Sequence, residues 1–193
     1  MRLVLATRNA GKVAELRDRL AALGTEVVSA AEVDGAPEVD EDRDTLRGNA
    51  EKKARALYLH TGLAALADDT GLEVDALDGA PGVFSARFAG HEADDAANRA
   101  HLLVRLGAVT DRDARFRTVL AFVDSSGTQF FDGVCEGTIL REERGEGGFG
   151  YDALFVPADG DGRTFAEMDK FEKNTISHRG RALDAFAAWL SVR

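Results

Sequence analysis

The first thirty residues constrain the fold more than any other part of the chain. Residues 2–6 form a short apolar run, Gly11 and Lys12 open a segment with apolar residues at helical spacing, and residues 26–29 are apolar again. A strand, a helix and a second strand in this order form a βαβ unit, so the pattern predicts an α/β sheet. Gly24 is predicted to end the helix. The apolar stripe of this predicted helix is Val13, Leu16, Leu20 and Leu23.

The rest of the chain continues the alternation of helical and β-rich segments. No Pro- or Ser-rich linker interrupts it, so we predict a single domain over residues 1–193. The two central β-rich segments flank the turn residues Ser125 to Thr128 and are predicted to pair antiparallel in a second lobe. Helices are predicted over residues 45–60, with Gly62 as the terminator, over 93–106, and from about Ser177 onwards. The last helix carries apolar Leu183, Phe186, Ala187 and Leu190. Strands are predicted over 63–67, 116–124, 129–140 and 153–157.

Charge and cysteine content limit the function classes. The formal net charge of -10 argues against broad nucleic-acid binding, which needs a basic face. A small polyanionic substrate needs only a local cluster of Lys and Arg. The apolar runs are too short to span a bilayer, the N-terminus reads as a strand and not a signal peptide, and Cys135 is the only cysteine. These features predict a soluble protein of the reducing cytoplasm.

The segment Thr7-Arg8-Asn9-Ala10-Gly11-Lys12 lies between the first strand and the first helix. Such a loop presents unpaired N–H groups and the positive end of the helix dipole, which favour a phosphate. Gly11 allows close backbone approach, Lys12 supplies charge, and Asn9 can donate and accept hydrogen bonds. The pattern differs from a Walker loop. An ordinary strand–helix turn with Asn as a cap is the alternative interpretation.

Asp68 and Asp69 directly follow a predicted strand, where ligands bind in open α/β sheets. Adjacent carboxylates repel each other, so they are expected beside a cation or where one acts as a base. Magnesium prefers such oxygen ligands. A solvated Asp-Thr-Gly turn is the alternative. The acidic segment 38–44 could supply a second metal ligand, or be a solvated loop. Lys52 and Lys53 point about 100 degrees apart on a helix, so at most one is expected to face a site.

Two further segments suit a nucleotide base and its phosphates. Gly147-Gly148-Phe149-Gly150-Tyr151-Asp152 combines flexible backbone with aromatic rings on which a base can stack, and with a carboxylate that can read a base edge. A glycine-rich turn with core aromatics is the alternative. His178 and Arg179 follow the predicted N-cap Ser177, where cations oppose the helix dipole, and Lys173 precedes them. Their placement indicates a nearby anion, unless Arg179 points into solvent.

The order of these segments resembles the inosine triphosphate pyrophosphatase family, the pyrophosphatases of noncanonical purine nucleoside triphosphates. The resemblance runs from residue 1 to about residue 190. It rests on six segments: Thr7-Arg8-Asn9-Ala10-Gly11-Lys12, Asn49-Ala50-x-x-Lys53-Ala54, Ala67-Asp68-Asp69-Thr70-Gly71-Leu72, Gly79-Ala80-Pro81-Gly82-Val83-Phe84-Ser85-Ala86-Arg87, Gly148-Phe149-Gly150-Tyr151-Asp152, and Glu172-Lys173-x-x-x-Ser177-His178-Arg179-Gly180.

The resemblance implies an α/β fold with a long central mixed β-sheet, flanking helices and two lobes around a substrate cleft. It implies Mg²⁺-dependent hydrolysis of dITP, ITP or XTP to the monophosphate and pyrophosphate, and a homodimer. Asp69 would be the catalytic base and a magnesium ligand, and Glu41 a second metal ligand. The substrate residues would be Thr7, Arg8, Asn9, Ala10, Gly11, Lys12 and Lys53 for the triphosphate, Thr70 for a further contact, Phe149, Gly150, Tyr151 and Asp152 for base and sugar, and Lys173, His178 and Arg179 for the 6-oxo group and phosphates.

The sequence departs from the family pattern at three places. Thr70 stands where serine is commoner and keeps the hydroxyl, and Ala153 stands where proline is usual. Residues 40–45 match poorly, so Asp40 or Glu38 are alternatives to Glu41 as the second ligand. Three other readings stay open: a Maf-type pyrophosphatase with a different base specificity, a nucleotide-binding module without turnover, and a purely structural protein.

Overall fold

The computed structural model describes residues 1–7, 10–21 and 24–193. Within these ranges the chain forms seven strands and five helices, with three short 3-10 turns at Ala30–Glu32, Asp75–Leu77 and Ser85–Arg87. The strands are β1 (Arg2–Leu5), β2 (Glu26–Ser29), β3 (Ala64–Val74), β4 (Pro81–Gly82), β5 (Asp113–Asp124), β6 (Gly127–Ile139) and β7 (Phe155–Pro157). The helices are α1 (Ala10–Ala21), α2 (Leu46–Thr61), α3 (Asp95–Leu106), α4 (Lys170–Ile176) and α5 (His178–Ser191).

The strands form one mixed sheet in the order β2-β1-β3-β5-β6-β7, with β4 paired to β3. β1 pairs parallel to β2, with Leu3 opposite Val27, and parallel to β3, with Leu3 opposite Ala64. β4 and β7 run antiparallel to β3 and β6. The predicted α/β fold with a central mixed sheet and flanking helices is therefore confirmed.

The chain divides into two compact units. The first unit comprises residues 1–69, 119–132 and 182–193, and the second comprises residues 70–118 and 133–181. The prediction that β5 and β6 together form a second lobe is wrong, because each strand contributes to both units. Strands of this length extend roughly 40 Å, which exceeds the width of one small core. A single domain and a substrate cleft stay predictions.

The core of the first unit is formed by helices α1 and α5 against the sheet. The predicted stripe of α1 is buried at Val13, Leu16 and Leu20, while Leu23 lies outside the described residues. Phe122 and Trp189 meet edge to face, with ring centroids 5.2 Å apart. The predicted apolar face of α5 packs into the same cluster through Leu183, Phe186, Ala187 and Leu190.

Helix α2 also belongs to the first unit and has the predicted ends. The Thr45 hydroxyl accepts a hydrogen bond from the Gly48 N–H at 3.0 Å, and Gly62 ends the helix with φ of 70°. Ala50, Ala54 and Leu57 are buried on one side, which leaves the polar residues of the first half of α2 to face the site described below.

The core of the second unit surrounds Phe116, Phe155 and Phe165, with Leu102 and Leu106 of α3 packed against them. Helix α4 was not predicted, although its start carries a capping box. The Asp169 carboxylate accepts from the Glu172 N–H at 2.8 Å, and the Glu172 carboxylate accepts from the Asp169 N–H at 3.0 Å. Across the described ranges, every helix is too short or too polar to cross a bilayer.

Strand β3 is longer than the predicted strand over residues 63–67. The parallel pairing with β1 ends at Leu66, but the strand continues through Asp68 and Asp69 and pairs with β4 at Leu72. The residues of segment 68–71 resemble a turn in composition, yet their sheet neighbours hold them extended. A solvated turn at this position is therefore wrong.

Candidate active site

In the first unit, the two adjacent aspartates of β3 each contact a different lysine. Successive residues of a strand point to opposite faces. The Lys12 Nζ atom, on α1, lies 2.7 Å from Asp68 Oδ2, and the Lys53 Nζ atom, on α2, lies 3.1 Å from Asp69 Oδ1. The expectation that cations accompany this acidic pair is met by the chain's own ammonium groups.

Lys53 joins two carboxylates. Its Nζ atom also lies 2.5 Å from Glu41 Oε1, and its side chain is only 15% exposed. Lys52, by contrast, donates to the Asp40 carbonyl and to Asp42 on the exposed side of the helix. The prediction that at most one of the two lysines faces the site agrees with this arrangement.

Asn49 is a site residue that the sequence reasoning left without a role. It is 1% exposed, and its Nδ2 atom donates to Asp69 Oδ2 at 3.2 Å. Its Oδ1 atom accepts from the Arg43 N–H at 2.9 Å, which ties the acidic segment to the same helix. Asn49 stands four residues before Lys53 in one of the quoted segments, so one helical turn carries both partners of Asp69.

The environment of Asp69 perturbs its ionisation. Burial raises the pKa of Asp69 to about 6, and nearby Glu41 adds to the rise, while the Lys53 ammonium and the Asn49 amide favour the carboxylate. Burial opposes the charge of Lys53, but Asp69 and Glu41 outweigh it and raise the pKa of this lysine. Asp69 is thus mostly ionised at neutral pH yet close to the pKa that suits a general base.

The acidic segment borders a cavity of about 370 Å³ in the first unit, whose lining includes Thr7, Glu38, Asp40 and Lys53. Among the described residues, no three acidic, His or Cys side chains form a cluster that would hold a metal ion. Glu41 and Asp69 nevertheless converge on one ammonium group. Two hard oxygen donors around one cationic point match the ligand preference of Mg²⁺ in kind.

The predicted phosphate segment is described only in part. Arg8 and Asn9 lie outside the described residues, and Ala10 and Gly11 form the start of α1. The Thr7 carbonyl accepts from the Ser29 hydroxyl at 2.9 Å. Thr70 belongs to the second unit, where its hydroxyl lies 2.7 Å from that of Thr118.

In the second unit, the glycine-rich loop brings an aromatic ring next to a buried ion pair. Asp152 is 3% exposed, and its Oδ2 atom lies 2.5 Å from Lys173 Nζ and accepts from the Phe149 N–H at 2.9 Å. The Phe149 ring is 55% exposed, with Lys173 Nζ 4.8 Å and Arg179 Cζ 5.8 Å from its centroid. The loop therefore offers an open aromatic face flanked by cations.

Besides Asp152, three of the predicted base-side residues are buried: Tyr151, His178 and Arg179. Tyr151 is 3% exposed and its hydroxyl donates to the Ser85 carbonyl at 2.8 Å, so its ring holds the loop from the core side. His178 stacks on Phe116 with ring centroids 4.6 Å apart. Arg179 is 9% exposed, so its alternative placement in solvent is wrong. The Ser177 hydroxyl accepts from the Gly180 N–H at 3.1 Å, as predicted for an N-cap of α5.

The sequence as a whole is similar to one protein family. The model of the Ham1 family matches residues 3–189. A dITP/XTP pyrophosphatase from Desulforamulus reducens is 56% identical over 186 residues, covering 95% of this chain and 92% of that protein. A dITP/XTP pyrophosphatase from Mycobacterium tuberculosis is 49% identical and covers 94% of this chain and 91% of that protein.

Solved structures agree with the sequence comparison. A HAM1 protein from Coxiella burnetii superposes with a TM-score of 0.95 at 41% identity, covering 100% of both chains. A nucleoside-triphosphatase / dITP/XTP pyrophosphatase from Mycobacterium abscessus gives a TM-score of 0.81 at 46% identity, covering 96% of this chain and 98% of that chain. The similarity therefore extends over essentially the whole fold.

Proposed function

This chain belongs to the Ham1 family, and from that premise we propose that it hydrolyses noncanonical purine nucleoside triphosphates such as dITP, ITP and XTP. The products are the nucleoside monophosphate and pyrophosphate, so the reaction removes damaged purines from the nucleotide pool. Relatives named dITP/XTP pyrophosphatase that cover at least 94% of the chain support this proposal. The names of these relatives also support an enzymatic function over a nucleotide-binding module without turnover or a purely structural protein.

One observation carries the catalytic part of the proposal. Asp69 is buried, its pKa is raised to about 6, and it is held by Lys53 and Asn49. In the proposed reaction, Asp69 accepts a proton from the attacking water as the water oxygen bonds to phosphorus. The bond between the α and β phosphates breaks, and the electron pair leaves with pyrophosphate. Lys12, Lys53 and the N–H groups at the start of α1 stabilise the charge on the phosphates.

We also propose Mg²⁺ as the cofactor, held by Asp69 and Glu41. The convergence of these two carboxylates on the Lys53 ammonium supports the proposal, because it marks a point that already accommodates a cation. Glu38 and Asp40 line the neighbouring cavity and are the alternatives to Glu41. When bound, Mg²⁺ would supply neutralisation of phosphate charge and activation of water.

The base and sugar are proposed to bind the second unit. A purine stacked on the exposed Phe149 ring would lie close to the cations Lys173 and Arg179, which are positioned over that ring. Donors placed there pair with a 6-oxo group and leave a 6-amino group unsatisfied, which favours inosine and xanthine over adenine. Thr70, Gly150, Tyr151, Asp152 and His178 complete the proposed substrate set.

Two further proposals concern the assembly and the location of the protein. We propose a homodimer, as the family resemblance implies, and sedimentation velocity would measure it. A cytoplasmic location is supported by the one cysteine, Cys135, which is a buried free thiol.

A substrate panel tests the proposed activity. The purified protein is incubated with Mg²⁺ and separately with dITP, XTP, dATP, dGTP and dTTP, and released monophosphate and pyrophosphate are measured. Fast pyrophosphate release from dITP and XTP alone is expected. Equal turnover of all five, or inorganic phosphate in place of pyrophosphate, would contradict the proposal. Preference for another base would favour a Maf-type enzyme, and binding without product release a nucleotide-binding module.

A further inference from the structure

In the second unit, helix α3 contacts both backbone polar groups of one residue, Gly150, in the glycine-rich loop of residues 147–152. The Asp95 Oδ2 atom accepts a hydrogen bond from the Gly150 N–H at 2.6 Å, and the Arg99 Nη1 atom donates to the Gly150 carbonyl at 2.9 Å. Asp95 and Arg99 are four residues apart and so share one face of the helix. Hydrogen bonds from charged groups are stronger than those between neutral groups.

Gly150 lies inside the turn that carries the Phe149 ring, on which the substrate base is proposed to stack. The Phe149 N–H donates to Asp152 Oδ2 at 2.9 Å, and the Asp152 N–H donates to the Phe149 carbonyl at 3.2 Å. Gly150, with φ of 60°, connects the two residues. A shift of the Gly150 backbone therefore moves the Phe149 ring. It also moves Asp152, and with it the ion pair between Asp152 and Lys173.

Helix α3 is a rigid support for this contact. Leu102 and Leu106 are buried in the core of the second unit, and the side chain of Asn98 bonds to the backbone of Ala86 and Ala89. The Arg99 side chain is 18% exposed, and its Nε atom lies 2.9 Å from Glu143 Oε1. The contact at Nε is an ion pair without hydrogen-bond geometry, and together with the Nη1 hydrogen bond to Gly150 it restricts the orientation of the guanidinium.

We propose that Asp95 and Arg99 are positioning residues that set the place of the Phe149 ring, and thereby the affinity for the substrate base. This inference rests on the proposed pyrophosphatase function. The base contacts of the loop lie in the second unit, whereas Asp69, Lys53 and Glu41 lie in the first. Asp95 and Arg99 together form a clamp on Gly150. Loss of this clamp weakens substrate binding without changing the groups that act on phosphorus.

Two substitutions test the two contacts with Gly150 separately. Asp95→Asn weakens the acceptor of the Gly150 N–H, and Arg99→Met removes the donor while keeping an apolar stem of similar length. Each is expected to raise KM for dITP about tenfold and to change kcat by less than about twofold, because misplaced contacts act on binding. Arg99→Lys, which keeps a donor but not the fork, should recover part of the affinity.

Matched controls exist on the same helix. Asp94→Asn makes the same chemical change one residue earlier, at the cap of α3, where Asp94 accepts from the Ala97 N–H. Arg105→Met makes the same change to the arginine near the Phe88 ring at the other end of α3. Both controls are expected to keep KM and kcat near the parent values, although they share any effect on helix stability.

Amide hydrogen exchange gives a readout that does not depend on activity. The Gly150 N–H is expected to exchange slowly in the parent protein and at least about tenfold faster in Asp95→Asn, because a charge-assisted bond is weakened. Faster exchange with raised KM supports the clamp. Parent-like KM in both variants, or equal KM changes in the controls, would overturn it. A parent protein without pyrophosphatase activity would overturn the proposed function instead, since exchange would still report the contact.

Discussion

At the residue scale, Asp69 is the side chain on which the proposed chemistry depends. Replacing it with Asn keeps the shape of the side chain but removes the base. Asp69→Asn is expected to lower kcat for dITP by at least about 100-fold, the usual contribution of a positioned base. Steady-state pyrophosphate release measures the effect. Lys53 retains Glu41 as a partner, so the melting temperature should change little, and near-normal turnover would show that the base is a different residue.

Asn49 donates a hydrogen bond to the Asp69 carboxylate, and this contact gives a second prediction. Asn49→Ala removes one hydrogen bond from the Asp69 carboxylate and leaves the Arg43 N–H without its acceptor. We expect a stability loss of about 1–3 kcal/mol and a drop of about tenfold in kcat. Urea unfolding and turnover measure the two effects separately.

Asn98→Ala is the matched control for Asn49, because Asn98 is also a buried asparagine whose amide bonds to two backbone groups. It is expected to lose similar stability while kcat stays near the parent value. Equal losses of kcat in both variants would mean that the effect of Asn49 is only structural.

The sequence predicted these residues by type more readily than by orientation. Helical geometry limited the site to one of Lys52 and Lys53, but only the position of Glu41 and Asp69 shows that it is Lys53. The substrate roles of Tyr151 and His178 come from a segment match and stay predictions, and the match did not indicate that both side chains are buried in the second unit. Local spacing does not say which side of a loop faces the core, since that depends on residues distant in sequence.

At the element scale, the glycine-rich loop depends on a close approach that only glycine allows. A Cβ atom at Gly148 would lie 2.1 Å from Asp152 Oδ2, and the residue has φ of 74°. Gly148→Ala is expected to displace Asp152 from Lys173, raise KM for dITP about tenfold and cost about 1–3 kcal/mol of stability. Initial-rate kinetics and thermal unfolding are the measurements.

Gly162→Ala separates strain from displacement. Gly162 also has a positive φ, of 91°, but a Cβ atom there would meet no atom within 4 Å. This control should lose stability through backbone strain and keep KM for dITP. If Gly148→Ala showed only that same stability loss, the loop would not depend on the contact between Gly148 and Asp152.

Elements with strong periodicity were predicted well, and those set by distant partners were not. The apolar stripes of α1, α2 and α5 are local patterns, so their sequence predicts them. The continuation of β3 past Ala67 depends on β4, and on Thr70 meeting Thr118. Helix α4 has only seven residues and none that is buried, so its capping box was the only local signal.

At the scale of the whole molecule, the prediction of one domain can be tested by two natural probes. The only tryptophan, Trp189, lies in the first unit, and the only cysteine, Cys135, lies in the second. Strands β3, β5 and β6 contribute to both units, so we expect them to unfold together. In urea, the fluorescence of Trp189 and the reactivity of Cys135 with a disulfide reagent should change at the same midpoint.

Burial raises the pKa of the Cys135 thiol to about 11, so its reaction should be slow until the second unit opens. Thiol reactivity that rises at a lower urea concentration than the tryptophan signal changes would contradict a single cooperative domain. No other thiol contributes to this signal, because Cys135 is the only cysteine in the sequence.

The division of the chain into units has a consequence for its ancestry. The chain passes from one unit to the other after residues 69, 118, 132 and 181, so neither unit is a continuous stretch of sequence. No single genetic crossover can exchange one unit for a homologous one without also cutting the other. A single crossover therefore cannot separate the residues proposed for the phosphates from those proposed for the base along the boundary between the units.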